Sequence, residues 1–291
     1  METIAKLQKC RNQRIPIFIS EEIFSEMILP HLYKNKRGPC PKVSYYKLFH
    51  YVIYILYSGC QWRMIPIDLD QDGKPEIHYT SIYRQWQKWV VNKSIEAIFR
   101  NTIMKLHSQG KLSLETIQID GTNTVSKKGG DKSGYSGHKH QKGNKIVAAT
   151  DNVGHFIAKT DIETVNVTDM KLLLQCLEDL KSNLRECEVE LIGKPPINLD
   201  AGFDSLENRK YIYKAGFRPN IKENKRNRKT IKKGRKRYFD NEIYKTRKVV
   251  ERSFSWVDKF RRVIVQYEWY QEIFLAFNLL AFTLVNLKDI C

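Results

Sequence analysis

Two short apolar runs in the middle of the chain each end in an aspartate. One run reaches Asp120 in the segment ETIQIDGT, and the other reaches Asp200 in PINLDAGFDS. Apolar runs of this length, bounded by polar residues, indicate buried strands. We expect strands, separated by helices, at residues 114–120, 144–150, 154–162, 196–199 and 217–221. This alternation predicts an α/β fold with a mixed sheet flanked by helices, and it places both aspartates at strand ends.

A third acidic residue stands in the stretch YKTRKVVERSFSWVDKFRR, residues 244–262, which we interpret as one amphipathic helix. At about 100° per residue, Tyr244, Arg247 and Glu251 fall within an arc of roughly 60°. Arg262 returns to the same side, and apolar residues occupy the opposite side. A helix of this kind, taken alone, is ordinarily a surface helix with ion pairs. Together with two aspartates at strand ends, however, its carboxylate completes a set that can hold Mg²⁺.

The charge of the chain constrains its partners. In 291 residues, 50 Lys and Arg residues stand against 32 Asp and Glu residues, which gives a formal net charge of +18. Such an excess favours a polyanionic partner, most often nucleic acid. The length suffices for one large domain and one small one.

Nothing in the sequence indicates a membrane or secreted protein. Residues 1–14 contain no apolar run of the kind that a signal peptide needs. The most apolar stretch, residues 273–285, is too short to span a bilayer and is interrupted by Asn278. The six cysteines form no CxxC pair and no zinc-binding spacing, which favours reduced thiols in the cytosol. We therefore expect a cytoplasmic, nucleoid-associated protein that contacts no membrane.

The N-terminal hundred residues have a helical pattern. Ser20 and Ser44 are candidate helix caps, Gly59 is a candidate helix end, and Thr80 or Ser81 is the candidate cap of a third helix. That third helix leaves an outward polar row, as in helix-turn-helix DNA readers: Tyr83, Arg84, Gln87 and Lys88. A plain helical bundle with a solvated face has the same pattern, and only the excess of positive charge in the chain favours DNA.

Two loops are rich in positive charge. Residues 122–145 contain five glycines among lysines but match neither nucleotide-binding glycine motif, and His138 and His140 lack further metal ligands. Residues 222–237, KENKRNRKTIKKGRKR, carry ten Lys or Arg residues and one Glu. Such a block repels itself and cannot fold alone. It is either a solvated loop or a phosphate contact, and its position between Asp200 and Glu251 favours phosphate.

Three motifs resemble those of a known family. IDGT at 119–122, LDAGFDS at 199–205 and Y-x2-R-x3-E at 244–251 are similar to the catalytic motifs of DDE transposases from bacterial insertion sequences, and most of all to the insertion-sequence-five group. The segments RGPCPK, YVIYILYSGCQWRMIP and SIYRQWQKW resemble the N-terminal helical domain of that group. VERSFSWVDKFRRVIVQYE and FLAFNLLAFTLV resemble its C-terminal end. The resemblance extends over nearly the whole chain.

The resemblance implies an RNase-H-like catalytic domain, here residues 109–291 with a basic loop at 222–237, preceded by a helical DNA-binding domain at 1–108. It implies that Asp120, Asp200 and Glu251 bind catalytic Mg²⁺, for which Mn²⁺ can substitute, and that Tyr244 and Arg247 assist at a phosphate. The longer family signature has a lysine where this chain has Asp258. We therefore assign the DNA contact of that lysine to Lys259 or Arg262.

The function that the resemblance implies is cleavage and transfer of DNA strands at the inverted-repeat ends of an insertion sequence. The expected partner is double-stranded DNA, both element ends and target, and we expect a homodimer in the DNA complex. Two other functions fit the same residues: a hydrolytic nuclease of this fold, or a non-catalytic DNA-binding regulator. The intact set of three carboxylates favours an enzyme.

The basic block generates a first prediction. We expect it to bind phosphates without sequence preference, so replacing Arg226, Arg228, Lys232 and Lys233 together with Ala will flatten the dependence of log K on log salt by up to about three units. Specific and unrelated DNA will lose affinity by similar factors, because phosphate contacts position a protein without specifying a sequence. An unchanged salt slope, with the fold intact by circular dichroism, would identify a solvated loop instead.

Overall fold

An eight-stranded mixed sheet forms the centre of the computed structural model, which describes residues 15–35, 41–131, 133–137, 140–224 and 237–290. The sheet comprises β1 (Ile117–Ser126), β2 (Gly134–Ser136), β3 (Gln141–Thr150), β4 (Phe156–Lys159), β5 (Glu163–Thr164), β6 (Pro196–Leu199), β7 (Arg218–Ile221) and β8 (Val265–Gln266). Four basic-block residues, Arg226, Arg228, Lys232 and Lys233, lie outside the described residues, as does His138.

The order β2-β3-β1-β6-β7 places β1 at the middle of the sheet. It pairs antiparallel with β3 and parallel with β6, which in turn pairs parallel with β7. The shorter strands β4 and β5 pair with β3, and β8 pairs with the end of β1. The predicted mixed α/β fold is therefore confirmed.

The strand β1 is longer than predicted, so Asp120 lies within it and not at its end. Pairing with β3 continues in register from Asp120 opposite Ala148 to Val125 opposite Gly143. The two strands approach closely here, because a Cβ atom on Gly143 would stand 2.3 Å from the carbonyl oxygen of Thr124. Glycine thus lets backbone pairing continue through a polar segment where apolar periodicity gives no strand signal.

Among the described residues, four α-helices precede the sheet: α1 (Glu21–Ile23, extended by a π-helical turn at Phe24–Ile28), α2 (Tyr45–Ser58), α3 (Tyr79–Val91) and α4 (Ser94–Ser108). The predicted caps Ser20 and Ser44 accept hydrogen bonds from the N–H groups of the first turns. Gly59 ends α2 at φ 69°, as predicted. The third helix begins two or three residues earlier than predicted, because His78, not Thr80 or Ser81, is its N-cap.

The remaining helices are α5 (Asp169–Glu186), α6 (Leu206–Lys214), α7 (Asn241–Lys245), α8 (Lys248–Val257), α9 (Arg261–Ile264) and α10 (Gln271–Leu287). Helix α5 packs on β3 and β4, while α8 packs on β1 and β3. Helices thus cover the buried apolar residues of these strands, such as Ile146 and Val147 of β3. Within the described residues, no helix combines the length and the apolar character needed to cross a membrane.

Helix α10 joins the N-terminal helices to the sheet in one apolar core. Its Phe277 ring stacks on Trp86 of α3 at 4.7 Å, and its Phe282 ring stacks on Phe156 of β4 at 4.0 Å. Fully burying an aromatic side chain of this size stabilises a fold by about 1.5–3 kcal/mol. Packing therefore continues across residue 108, and the division there remains a prediction about function.

The single helix predicted for residues 244–262 is wrong. The chain forms α7, α8 and α9, because the N–H groups of Thr246 and Arg247 bond to carbonyls three residues back, at 3.2 and 3.1 Å. This tightens the backbone between α7 and α8. At the other end, Phe260 adopts an extended conformation before α9.

Candidate active site

The first two acidic residues occupy equivalent places on adjacent parallel strands. Gln118 of β1 is opposite Asn198 of β6, so Asp120 and Asp200 stand two residues further along and on the same face. Asp120 Oδ1 accepts a hydrogen bond from the N–H of Gly121 at 3.0 Å. Asp200 Oδ1 accepts one from the N–H of Ala201 at 2.7 Å. Each carboxylate is thus held by the backbone next to it.

Arg247 connects Asp120 to the third carboxylate. Its Nη2 lies 2.9 Å from Asp120 Oδ2, and its Nη1 lies 2.7 Å from Glu251 Oε1, one turn further along. Arg247 Nε is buried and makes no hydrogen bond within the described residues. The guanidinium therefore lies between the two carboxylates and partly neutralises both.

The charges of this cluster act on one another. Burial raises the pKa of Asp120; the Arg247 charge and the Gly121 N–H oppose this, and the negative charges of Asp200 and Glu251 reinforce it. The net effect is a raised pKa. A cation bound near these carboxylates would reduce the repulsion among their negative charges.

Tyr244 belongs to the same cluster. Burial raises the pKa of its phenol, Arg247 opposes the rise, and the carboxylates of Asp200, Asp120 and Glu251 add to it. The hydroxyl consequently stays protonated and can donate a hydrogen bond. The five residues predicted from the sequence thus influence one another electrostatically in the folded chain.

The carboxylates do not form a ready metal cage. In the part of the chain that the structure describes, no three His, Cys, Asp or Glu side chains are placed to hold an ion. Arg247 lies between Asp120 and Glu251, and the role of the three carboxylates as metal ligands remains a prediction. The donor chemistry nevertheless fits Mg²⁺, which prefers carboxylate oxygens and binds through few protein ligands.

A row of buried amides runs across the sheet beside the carboxylates. Gln118, Asn198 and Asn220 stand in register on β1, β6 and β7, and all three are fully buried. Asn198 Nδ2 donates to Gln118 Oε1 at 2.9 Å, and Asn220 Nδ2 donates to Asn198 Oδ1 at 2.7 Å. We call these three residues the amide row. Because amides carry both donors and acceptors, they can bond to one another in the sheet interior.

The amide row also holds the backbone that leads to Arg247. Asn198 Nδ2 donates to the carbonyl of Ile243 at 2.7 Å, and Gln118 Nε2 donates to Thr246 Oγ1 at 2.8 Å. Asn220 Oδ1 accepts from the N–H of Asp240, the N-cap of α7, at 2.8 Å. Both ends of α7, the helix that carries Tyr244, are therefore fixed to the sheet.

The sequence reasoning did not identify the amide row, although a signal was present. In both IQID and INLD an amide stands two residues before the aspartate. Side chains in a strand alternate between faces, so each amide shares a face with its aspartate. An amide at a buried position in two strands, each time two residues before a candidate catalytic aspartate, is the signal that predicts this hydrogen-bond network.

The predicted DNA-contacting row on α3 is partly exposed. Arg84 and Lys88 lie on the surface, whereas Tyr83 and Gln87 are half-buried. Tyr83 packs its ring against Trp62, with 4.9 Å between centroids. The structure thus leaves two cations of the row accessible, and their contact with DNA remains a prediction.

The two predicted contacts near the end of α8 differ. Lys259 is exposed, with its ammonium 4.0 Å from the centre of the Trp256 ring. Arg262 is buried: its Nε donates to Glu268 Oε1 at 2.6 Å, and its Nη1 donates to the carbonyl of Cys60 at 2.9 Å. The prediction that Arg262 faces DNA is wrong, because the break at Phe260 turns it inward.

Comparison with known families identifies the class of protein. The family model described as "Transposase DDE domain" matches residues 111–287, more than half of the chain. The chain therefore belongs to the DDE transposase family, and the mixed sheet described above is its RNase-H-like fold. A sequence comparison with curated proteins gave no significant match.

Solved structures support the same fold. A piggyBac transposase synaptic complex with hairpin DNA aligns with a TM-score of 0.53 at 12% identity, covering 97% of this chain and 76% of that chain. A Mos1 transposase paired-end complex with the left transposon end aligns at 11% identity with a TM-score of 0.27, covering 64% of this chain and 61% of that chain. The second likeness is too low to support an argument.

The amide row generates a prediction about both stability and activity. Asn198→Leu removes the hydrogen bonds that Asn198 makes to Gln118 Oε1, to the Ile243 carbonyl and from Asn220 Nδ2, so the free energy of unfolding will fall by about 1–3 kcal/mol. DNA cleavage, assayed well below the melting temperature, will also fall because α7 loses an anchor.

The control is Asn183→Leu, which removes a buried amide bonded to the carbonyl of Ile157 and to Asp179. This variant will lose stability by a similar amount and keep its activity. Equal activity in the two folded variants would mean that the amide row only holds the sheet together.

Proposed function

We propose that this chain is a transposase of an insertion sequence that binds the inverted-repeat ends of its element and cuts and joins DNA strands with two metal ions. One observation carries the assignment: Arg247 bridges Asp120 and Glu251, on the face that Asp120 shares with Asp200. The same three motifs, with the flanking segments, support membership of the insertion-sequence-five group.

The three carboxylates of Asp120, Asp200 and Glu251 are the proposed metal ligands. Two Mg²⁺ ions held there, or Mn²⁺ in their place, would supply Lewis-acid chemistry: activation of a water or a 3′-hydroxyl and stabilisation of the leaving oxygen of an in-line displacement. The protein places its ligands on β1, after β6 and on α8, and strand pairing fixes the first two relative to each other.

Arg247 and Tyr244 have the chemistry to bind the scissile phosphate. A guanidinium presents paired donors that match two phosphate oxygens as well as they match carboxylates. Without DNA, Arg247 reduces repulsion between Asp120 and Glu251. The phenol of Tyr244, kept protonated by its surroundings, donates to phosphate from the same side.

DNA is the proposed partner, both at the element ends and at the target. The piggyBac complex, whose fold this chain shares, was solved with hairpin DNA. We propose that residues 1–108 read the element ends, that residues 109–291 carry out the chemistry, and that two copies act together on paired ends. Sedimentation of the protein with end DNA will give the mass of two copies bound to two DNA ends, and a complex of one copy with one DNA end would contradict the last point.

The carboxylates give the central prediction of this assignment. Asp120→Asn, Asp200→Asn and Glu251→Gln will each reduce cleavage of end DNA by more than about 100-fold, because losing even an indirect partner of a metal site costs 10–100-fold. Binding of the same DNA, measured by anisotropy, will persist in all three variants.

Glu207→Gln, at an exposed carboxylate in the first turn of α6, is the matched control and will cleave normally. A full cleavage rate in any of the three site variants would remove that residue from the site. Products joined to a target plasmid identify strand transfer, whereas cut ends alone would indicate a hydrolytic nuclease.

The exposed cations on α3 give a prediction about sequence reading. Arg84→Ala together with Lys88→Ala will weaken binding to end DNA more than binding to unrelated DNA, since contacts with base edges contribute about 1–3 kcal/mol each to discrimination. The control is Lys210→Ala with Lys214→Ala, an exposed pair on α6 with the same change in charge. Equal losses on both DNAs would show that α3 contacts phosphates and does not read bases.

A further inference from the structure

A groove with a volume of about 650 Å³ lies beside α8, apart from the carboxylate cluster. Three cationic side chains line it: Lys111 before β1, Arg252 on α8 and Lys288 after α10. The other lining residues are Val153, His155, Trp256 and Asp289. None of these positions belongs to the catalytic motifs, and we call this feature the basic groove.

The cations of the basic groove are held in place. Lys111 Nζ donates to the carbonyl of Asp289 at 2.5 Å, and Arg252 Nη2 donates to the carbonyl of Val153 at 2.8 Å. Lys288 Nζ lies 3.2 Å from Asp289 Oδ2. Backbone carbonyls bind two of the cations without neutralising them, so positive charge remains available at the surface.

A fourth cation, Lys259, lies against the ring of Trp256 at the rim of the basic groove. The ammonium of Lys259 lies 4.0 Å from the centre of that ring, and that of Lys288 lies 5.6 Å from it. An indole ring attracts ammonium groups through its π-electrons and leaves their N–H donors free for other partners. The ring therefore positions two lysines next to each other despite their repulsion.

Opposing charge in the basic groove is small. Of the described residues that line it, Asp289 alone carries a carboxylate. The carboxylate of Asp151 is buried behind His155 and does not line the groove. Asp289 Oδ2 is shared between His155 Nε2, at 3.1 Å, and Lys288. One lining carboxylate thus faces three lining cations, with Lys259 nearby on the Trp256 ring, and such concave clusters attract a polyanion.

The basic groove adjoins the candidate active site through α8. Counting about 100° per residue, the exposed side of α8 passes from Glu251 through Ser255 and Lys248 to Arg252 and Trp256. The groove is therefore roughly 10 Å around the helix surface from Glu251, a distance of a few nucleotides along a DNA strand. Lys248 is exposed between them and continues the positive surface.

We propose that the basic groove binds the sugar-phosphate backbone of duplex DNA next to the cut, a few nucleotides from the scissile phosphate. This inference rests on the proposed function and adds a binding site to it. The ligand is phosphate and not a base, because a lysine covers the Trp256 ring that a base would need for stacking. Binding here is independent of sequence.

The test uses the full chain with Lys111→Ala and Lys288→Ala combined, and duplex DNA of unrelated sequence as the probe. Each lost phosphate contact lowers the slope of log K against log salt by about 0.9, so the double variant will lose up to about two units. Affinity for end DNA will fall by the same factor. The melting temperature will verify that the fold persists, and Arg252→Ala provides a second, single-site test.

The matched control is Lys210→Ala with Lys214→Ala, which removes the same charge from α6 and will keep the wild-type slope. If both double variants keep the wild-type salt slope and cleave normally, the basic groove does not bind DNA. The transposase assignment would still stand. A loss of affinity for single-stranded DNA but not for duplex DNA would also contradict the proposed binding of duplex DNA. A wild-type protein that neither binds nor cuts DNA would contradict both.

Discussion

The bridge that Arg247 makes between Asp120 and Glu251 is the interaction on which the candidate active site depends. The negative charges of the three carboxylates repel one another: burial raises the pKa of Asp120, and the charges of Asp200 and Glu251 add to that rise. A guanidinium placed between two of them keeps the group together without a bound ion. Arg247 thus supplies positive charge between the carboxylates, as the proposed metal ions would. Its guanidinium also has the shape that suits a phosphate.

Arg247 can occupy this position because the sheet fixes the segment before it. The amide row bonds to both ends of α7, so the backbone entering α8 has little freedom. Buried polar groups whose hydrogen bonds are all satisfied hold a site in one geometry more specifically than apolar packing does. Chemistry on the surface of the sheet is therefore supported by hydrogen bonds inside it.

The sequence predicted the class of fold and the five residues of the cluster, because both depend on local patterns. Apolar runs identified β6 and β7 closely, and Ser44 and Gly59 delimited α2. It did not predict the extent of β1 past Asp120, the break before Phe260 or the inward turn of Arg262. The first and the last depend on partners outside the segment concerned: β3 for Asp120, and Cys60, 202 residues away, together with Glu268 for Arg262. Periodicity within one segment carries no information about such partners.

The position of α10 determines when the chain can finish folding. Of the described helices it lies furthest along the chain, so it is made after the two residues that it covers, Trp86 on one side and Phe156 on the other. Until residues 271–287 are made, both surfaces stay open to water and the sheet lacks its closing layer. A chain interrupted before this helix would therefore expose the apolar surfaces around Trp86 and Phe156 and would lack part of its common core.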